Sequence, residues 1–79
     1  MEFQLFGNLA FAYTSRPNDE VNELIGTPPI RRVVRKISST FWFFRELFPY
    51  GEDCELIAPS VLRSAFRQKV QALAAIYDS

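Results

Sequence analysis

No histidine occurs in the 79 residues, and cysteine occurs once, as Cys54. Without histidine the chain lacks the side chain most often used as a general base or metal ligand near neutral pH. One cysteine cannot close an intramolecular disulfide, which points to a reducing, cytoplasmic setting. Glycine is scarce, three in all, and no Gly-rich phosphate loop is present. No apolar run approaches the ~18 residues of a membrane-spanning helix, and the N-terminus lacks the basic region and apolar core of a signal peptide. Net charge is missing too, since nine basic residues balance nine acidic ones. That balance argues against a protein that coats nucleic acid generally, while leaving room for a local basic patch. On these grounds no metal, cofactor or membrane contact is expected, and the chain is not expected to be an enzyme.

Aromatic and aliphatic side chains are abundant. The composition is 48% hydrophobic and 15% aromatic, with eight Phe, three Tyr and one Trp. Such a chain has enough apolar surface to offset its ordering entropy, so a compact core without disulfides or metal is expected. The length suits one small domain over residues 1–79.

Local patterns divide the chain. Residues 2–14 alternate at period two, with Phe3, Leu5, Leu9, Phe11 and Tyr13 on one set of positions. This predicts a hairpin about Gly7-Asn8 or a single bent strand. Pro17, early acids and Gly26 predict a short helix over 17–25, with one helical turn in a loop as the competing reading. Residues 30–37 are ambiguous. Ile30, Val33, Val34 and Ile37 fall on a helical stripe, yet their β-branching suits a strand. Ser38-Ser39-Thr40 offers an N-cap for a helix over 41–48, closed by Pro49 and Gly51. Cys54–Ile57 reads as a short strand, and Pro59-Ser60 opens a long helix. Along it Leu62, Phe66, Val70, Leu73 and Tyr77 recur at three- and four-residue steps.

Residues 38–77 supply, in order, Phe44, Leu47, Gly51, Leu56-Ile57, Pro59, Leu62-Arg63 and Tyr77. This succession resembles the C-terminal extension that follows the WYL domain in bacterial transcription regulators. The resemblance covers about half the chain and rests on packing and turn residues. It implies a small ferredoxin-like α+β domain, an antiparallel sheet with helices packed on one face. In that picture 9–14 is the first strand, 17–25 the first helix, 30–37 a central strand and 54–57 the edge or last strand. The family places a strand hairpin with a glycine turn in the middle region, for which the segment from Gly26 to Ser38 looks too short. The winged helix-turn-helix and the Trp-Tyr-Leu signature of complete regulators are absent from this sequence. The chain is therefore expected to be the terminal piece of a larger regulator or a freestanding relative of the extension.

Candidate site residues are few. Arg31, Arg32, Arg35 and Lys36 form the one dense basic cluster, suited to phosphates or to stacking on bases, or to a solvated face paired with Glu20, Glu23 and Glu46. Arg63 opens the last helix against the helix dipole, which suits a bound anion or a pair with Glu55 or Asp53. Of the four successive aromatics, Phe41 and Phe44 are expected in the core, leaving Trp42 or Phe43 as a contact surface. Cys54, flanked by Asp53 and Glu55, is expected to be a small buried hydrophobe.

Two functions follow. The first is a regulatory module of a WYL-type regulator that senses a single-stranded nucleic acid or nucleotide-like effector through Arg31, Arg32, Arg35 and Arg63, or holds two protomers together. Its partners would be the WYL and helix-turn-helix domains of the same regulator or a homo-oligomer partner. The alternative is a small α+β protein–protein interaction domain that uses Trp42 and Phe43 and binds no nucleic acid.

Overall fold

The computed structural model describes residues 1–78. Four strands form one antiparallel sheet: β1 (Glu2–Leu5), β2 (Asp19–Ile25), β3 (Ile30–Arg35) and β4 (Cys54–Ala58), in the order β2-β3-β1-β4. Three helices accompany it, α1 (Leu9–Ala12), α2 (Thr40–Leu47) and α3 (Ser60–Asp78), with a 3₁₀ segment at Phe48–Asp53. Up to β4 the succession is strand, helix, two strands, helix, strand, with the first and third strands central. That is the ferredoxin-like arrangement. Among the described residues no helix is long and apolar enough to cross a membrane.

Alternation in β1 carries through to packing. Phe3 and Leu5 are fully buried, while Glu2 and Gln4 point to the other face. Opposite Phe3 stand Val33 of β3 and Leu56 of β4. Phe43, Phe44 and Leu47 of α2 close over these side chains to form the core. Each fully buried residue of this size contributes about 1.5–3 kcal/mol. Ser39 caps α2 by accepting from the Trp42 backbone N–H at 3.4 Å, and Leu62, Ala65 and Phe66 bring the start of α3 against the same core.

Two sequence-based expectations are corrected. Residues 9–14 are not a strand: Gly7, at φ +57°, turns the chain into the one-turn helix α1. The alternation there came from alanines, and Ala10 is buried while Phe11 is exposed. Residues 17–25 are not a helix: β2 runs from Asp19 to Ile25 and pairs with β3 through a turn at Gly26–Pro29. As an edge strand β2 buries little, so it carries no strong apolar pattern. This hairpin, with Gly26 at φ +81°, is the one that the segment after Gly26 looked too short to hold. Residues 30–35 form a strand, which resolves the ambiguity there.

Candidate functional site

Three of the candidate arginines lie on β3, where successive side chains take opposite faces. Arg35 points into the helix side and is 4% exposed. Its Nε donates to Asp19 Oδ1 at 2.6 Å, Nη1 to Glu46 Oε2 at 2.6 Å, and Nη2 to the Tyr13 hydroxyl. The guanidinium also sits 5.2 Å from the Phe3 ring centre. Burial by itself would lower the Arg35 pKa, but the hydrogen bonds to Asp19 and Glu46 outweigh it and raise it. Burial pushes the Asp19 carboxyl up, yet the Arg16 N–H, Tyr13 and Arg35 together hold it below its ordinary value. Tyr13, desolvated and bonded to Asp19, is driven well above the usual phenol range. Tyr13, Asp19, Arg35 and Glu46 form one hydrogen-bonded polar cluster, buried at Arg35 and Asp19 and open at Glu46, with donors matched to acceptors.

The other candidate arginines also have protein partners. Arg31 Nε donates to the Ala10 carbonyl at 2.6 Å and Nη1 to Asn22 Oδ1 at 2.6 Å, which fastens α1 to the hairpin. Arg32, on the opposite face, bridges Glu2 at 3.0 Å and Glu23 at 3.1 Å across three strands. Its pKa is raised by the bond to Glu2 and then by that to Glu23. Arg63 Nη1 donates to Glu55 Oε2 at 2.6 Å and to the Leu56 carbonyl at 3.0 Å, the pairing with Glu55 being one of the two expected arrangements. Arg31, Arg35 and Arg32 are therefore not brought to one face, and Arg63 lies at the β4–α3 corner. Their placement joins strands and helices of the fold.

The aromatic run divides differently from expectation. Phe43 and Phe44 enter the core, while Phe41 and Trp42 are 60% and 65% exposed. The cap at Ser39 sets this phase: with Thr40 as the first helical residue, positions 43, 44 and 47 face the sheet. Phe43, at 4% exposure, is thus a core residue and Phe41 takes the outer place beside Trp42. The two outer rings meet edge to face at 5.1 Å, and the Arg45 guanidinium lies 5.8 Å from the Trp42 ring.

Next to them an open groove of about 200 Å³ runs between α2 and α3, lined by Phe41, Phe44, Arg45, Phe48 and Lys69. The Phe66 ring centre lies 5.0 Å from those of both Phe44 and Phe48. Neither Arg45 nor Lys69 makes an ion pair among the described residues. From Arg67 onward the described residues of the helix, 67–78, are all exposed. The stripe identified along this helix is therefore well covered only as far as Phe66; Val70, Leu73 and Tyr77, on the same helix face, are exposed. Sequence periodicity gives the stripe but not the place where the protein ends beneath it.

Cys54 is partly buried, and desolvation, with Glu46 and Glu55 nearby, pushes its thiol up to about 12. It behaves as a small apolar side chain at the start of β4.

A family model, the WCX domain, matches residues 28–74, more than half of the chain. No curated protein and no solved structure gives a significant match.

Proposed function

The chain belongs to the WCX-domain family, the C-terminal extension of WYL-domain transcription regulators, and from this premise we propose that it acts in such a regulator by protein contact. Its working surface is the outer face of α2 and α3, with Phe41, Trp42, the adjoining groove and the outward stripe of α3. The observation that carries this reading is the exposure of large apolar side chains on both helices, Phe41 and Trp42 on α2 and Val70, Leu73 and Tyr77 on α3. Apolar surface of this extent on a small protein marks an interaction site. Arg31, Arg32, Arg35 and Arg63, the cations an effector would need, hold protein acceptors at 2.6–3.1 Å. Freeing them for a phosphate would break cross-strand or strand–helix ties.

Trp42 provides the test, because it stands in the proposed surface. Its emission is titrated with short single-stranded DNA and RNA at low and moderate salt. The contact reading expects no saturable change. A saturable change that weakens steeply with salt, and disappears in an Arg31→Ala/Arg32→Ala variant, would return the function to effector sensing.

A further inference from the structure

The groove between α2 and α3 combines aromatic walls with uncompensated positive charge. Phe41, Arg45 and Phe48 follow at steps of four and three, which sets them on one side of α2 and its 3₁₀ continuation. Lys69 borders the groove from α3, three residues beyond Phe66. Phe41 and Phe48 are both exposed, so their rings are open to an occupant. No acid lines the groove, and among the described residues neither cation forms an ion pair. Arg45 lies 5.8 Å from the Trp42 ring centre, a contact that leaves its N–H donors for a carboxylate. The acid beside it, Glu46, is engaged with Arg35 at 2.6 Å, and α3 has no acid before Asp78. The β4–α3 cleft differs, since Arg63 there is held by Glu55 at 2.6 Å.

Size and charge narrow the occupant. At about 200 Å³ the groove is smaller than the ~300–1,000 Å³ of sites that enclose a whole small molecule. It suits one large side chain projecting from a polypeptide that stays outside. Aromatic walls favour an aromatic ring, which can meet Phe41 and Phe48 edge to face. A cation from each helix favours carboxylates on both sides of that ring. A single-stranded nucleic acid would need a basic track for successive phosphates. Here the surface alongside is apolar at Trp42, Val70 and Leu73, and Arg67 borders the β4–α3 cleft instead. Resting on the contact reading above, we propose that the groove receives an acidic segment of a partner polypeptide. One aromatic side chain of that segment sits against Phe41, Phe44 and Phe48, and its flanking carboxylates meet Arg45 and Lys69.

Chemical shifts of the isotope-labelled full chain test this, in a titration with the blocked peptide Gly-Glu-Glu-Phe-Glu-Glu-Gly at low salt. Saturable shifts are expected in the amides of residues 41–48 and 66–69. Replacing the peptide's Phe by Ala should weaken binding roughly 10-fold. Arg45→Glu and Lys69→Glu should each weaken it about 5-fold, and the double variant should prefer a peptide with Lys in place of Glu. Both positions are exposed, so the fold should survive, and unchanged shifts elsewhere verify it. No shifts up to the solubility limit, or equal binding of the Lys peptide to the wild-type chain, would overturn the proposal. Phenylacetate binding at these amides as tightly as the peptide would overturn it in favour of a small-anion site. Shifts there with single-stranded DNA, or on concentrating the chain alone, would give the groove to nucleic acid or to a second copy. Failure of the peptide alone leaves the contact reading standing; that reading fails separately, through a salt-sensitive response of Trp42 to oligonucleotides.

Discussion

Asp19 and Arg35 face each other across the β2–β3 ladder, and their side chains are 0% and 4% exposed at a separation of 2.6 Å. The pair ties an edge strand that has little apolar burial to the centre of the sheet. Removing one partner would leave the other buried without its opposite charge, Asp19 keeping only the Tyr13 hydroxyl and the Arg16 N–H. Arg35→Met should therefore cost about 3–5 kcal/mol in chemical denaturation. Arg35→Met combined with Asp19→Leu should cost less than Arg35→Met alone, because the stranded carboxylate is gone.

The same carboxylate sets the acid limit. Its folded pKa is depressed below the ordinary 3.8. Its contribution is thus fully present above that value and is lost as pH falls through the lower folded value. Stability should drop as pH falls below about 3.8, and Asp19→Asn should lower stability at neutral pH while flattening that decline. Denaturant midpoints measured across the range give both slopes.

How these residues lie in the sequence explains what was legible in it. Three features were readable: the alternation of Phe3 and Leu5, a helix cap somewhere in Ser38-Ser39-Thr40, and the turn and helix signals from Gly51 to Ser60. Together with the family resemblance they led to the right sheet class. The hairpin was missed because β2 hides its strand character. The relevant signal was the mirrored charge pattern about Gly26–Pro29, with Asp19 and Glu23 before it and Arg32 and Arg35 after it. Those charges pair across the two strands. Distance in sequence left the basic cluster open between a phosphate site and a face paired with acids: its partners lie up to thirty residues away. For Phe41 and Phe43 the error was one of helical phase, which the cap decides and hydrophobicity does not.

Phe41 and Phe43 offer a paired test of that phase. Phe43→Ala opens a cavity under α2 and should cost about 3–5 kcal/mol. Phe41→Ala removes an exposed ring and should stay within about 0.5 kcal/mol in the monomer. Equal costs for the two would contradict the placement of the helix.

Gly26 stands at φ +81° with an added Cβ only 3.5 Å from the Pro28 carbonyl oxygen. Gly26→Ala should destabilise by about 1 kcal/mol, chiefly through the left-handed backbone, and Gly26→Asn by less. Thermal midpoints of the two variants measure the difference.

Cys54 should resist alkylation in the native protein. A thiol at about 12 carries at pH 8 a thiolate fraction roughly a thousand-fold below that of a free cysteine. Labelling with iodoacetamide should be slow until denaturant is added. Fast labelling of the folded chain would show that the start of β4 opens readily.

Packed on the core at Leu62 and Phe66 and exposed from residue 67 onward, α3 is a lever with its fulcrum at the sheet. From Phe66 to Tyr77 the arm is about 16 Å, so a tilt of ~10° at the fulcrum moves the tip by ~3 Å. Mechanical advantage runs the other way for force. Whatever grips the far end of the rod applies torque to Phe66, which is wedged against Phe44 and Phe48, and through Arg63 to β4. A grip on one exposed end thereby becomes strain in the strand beside β1, at a distance no direct contact would span.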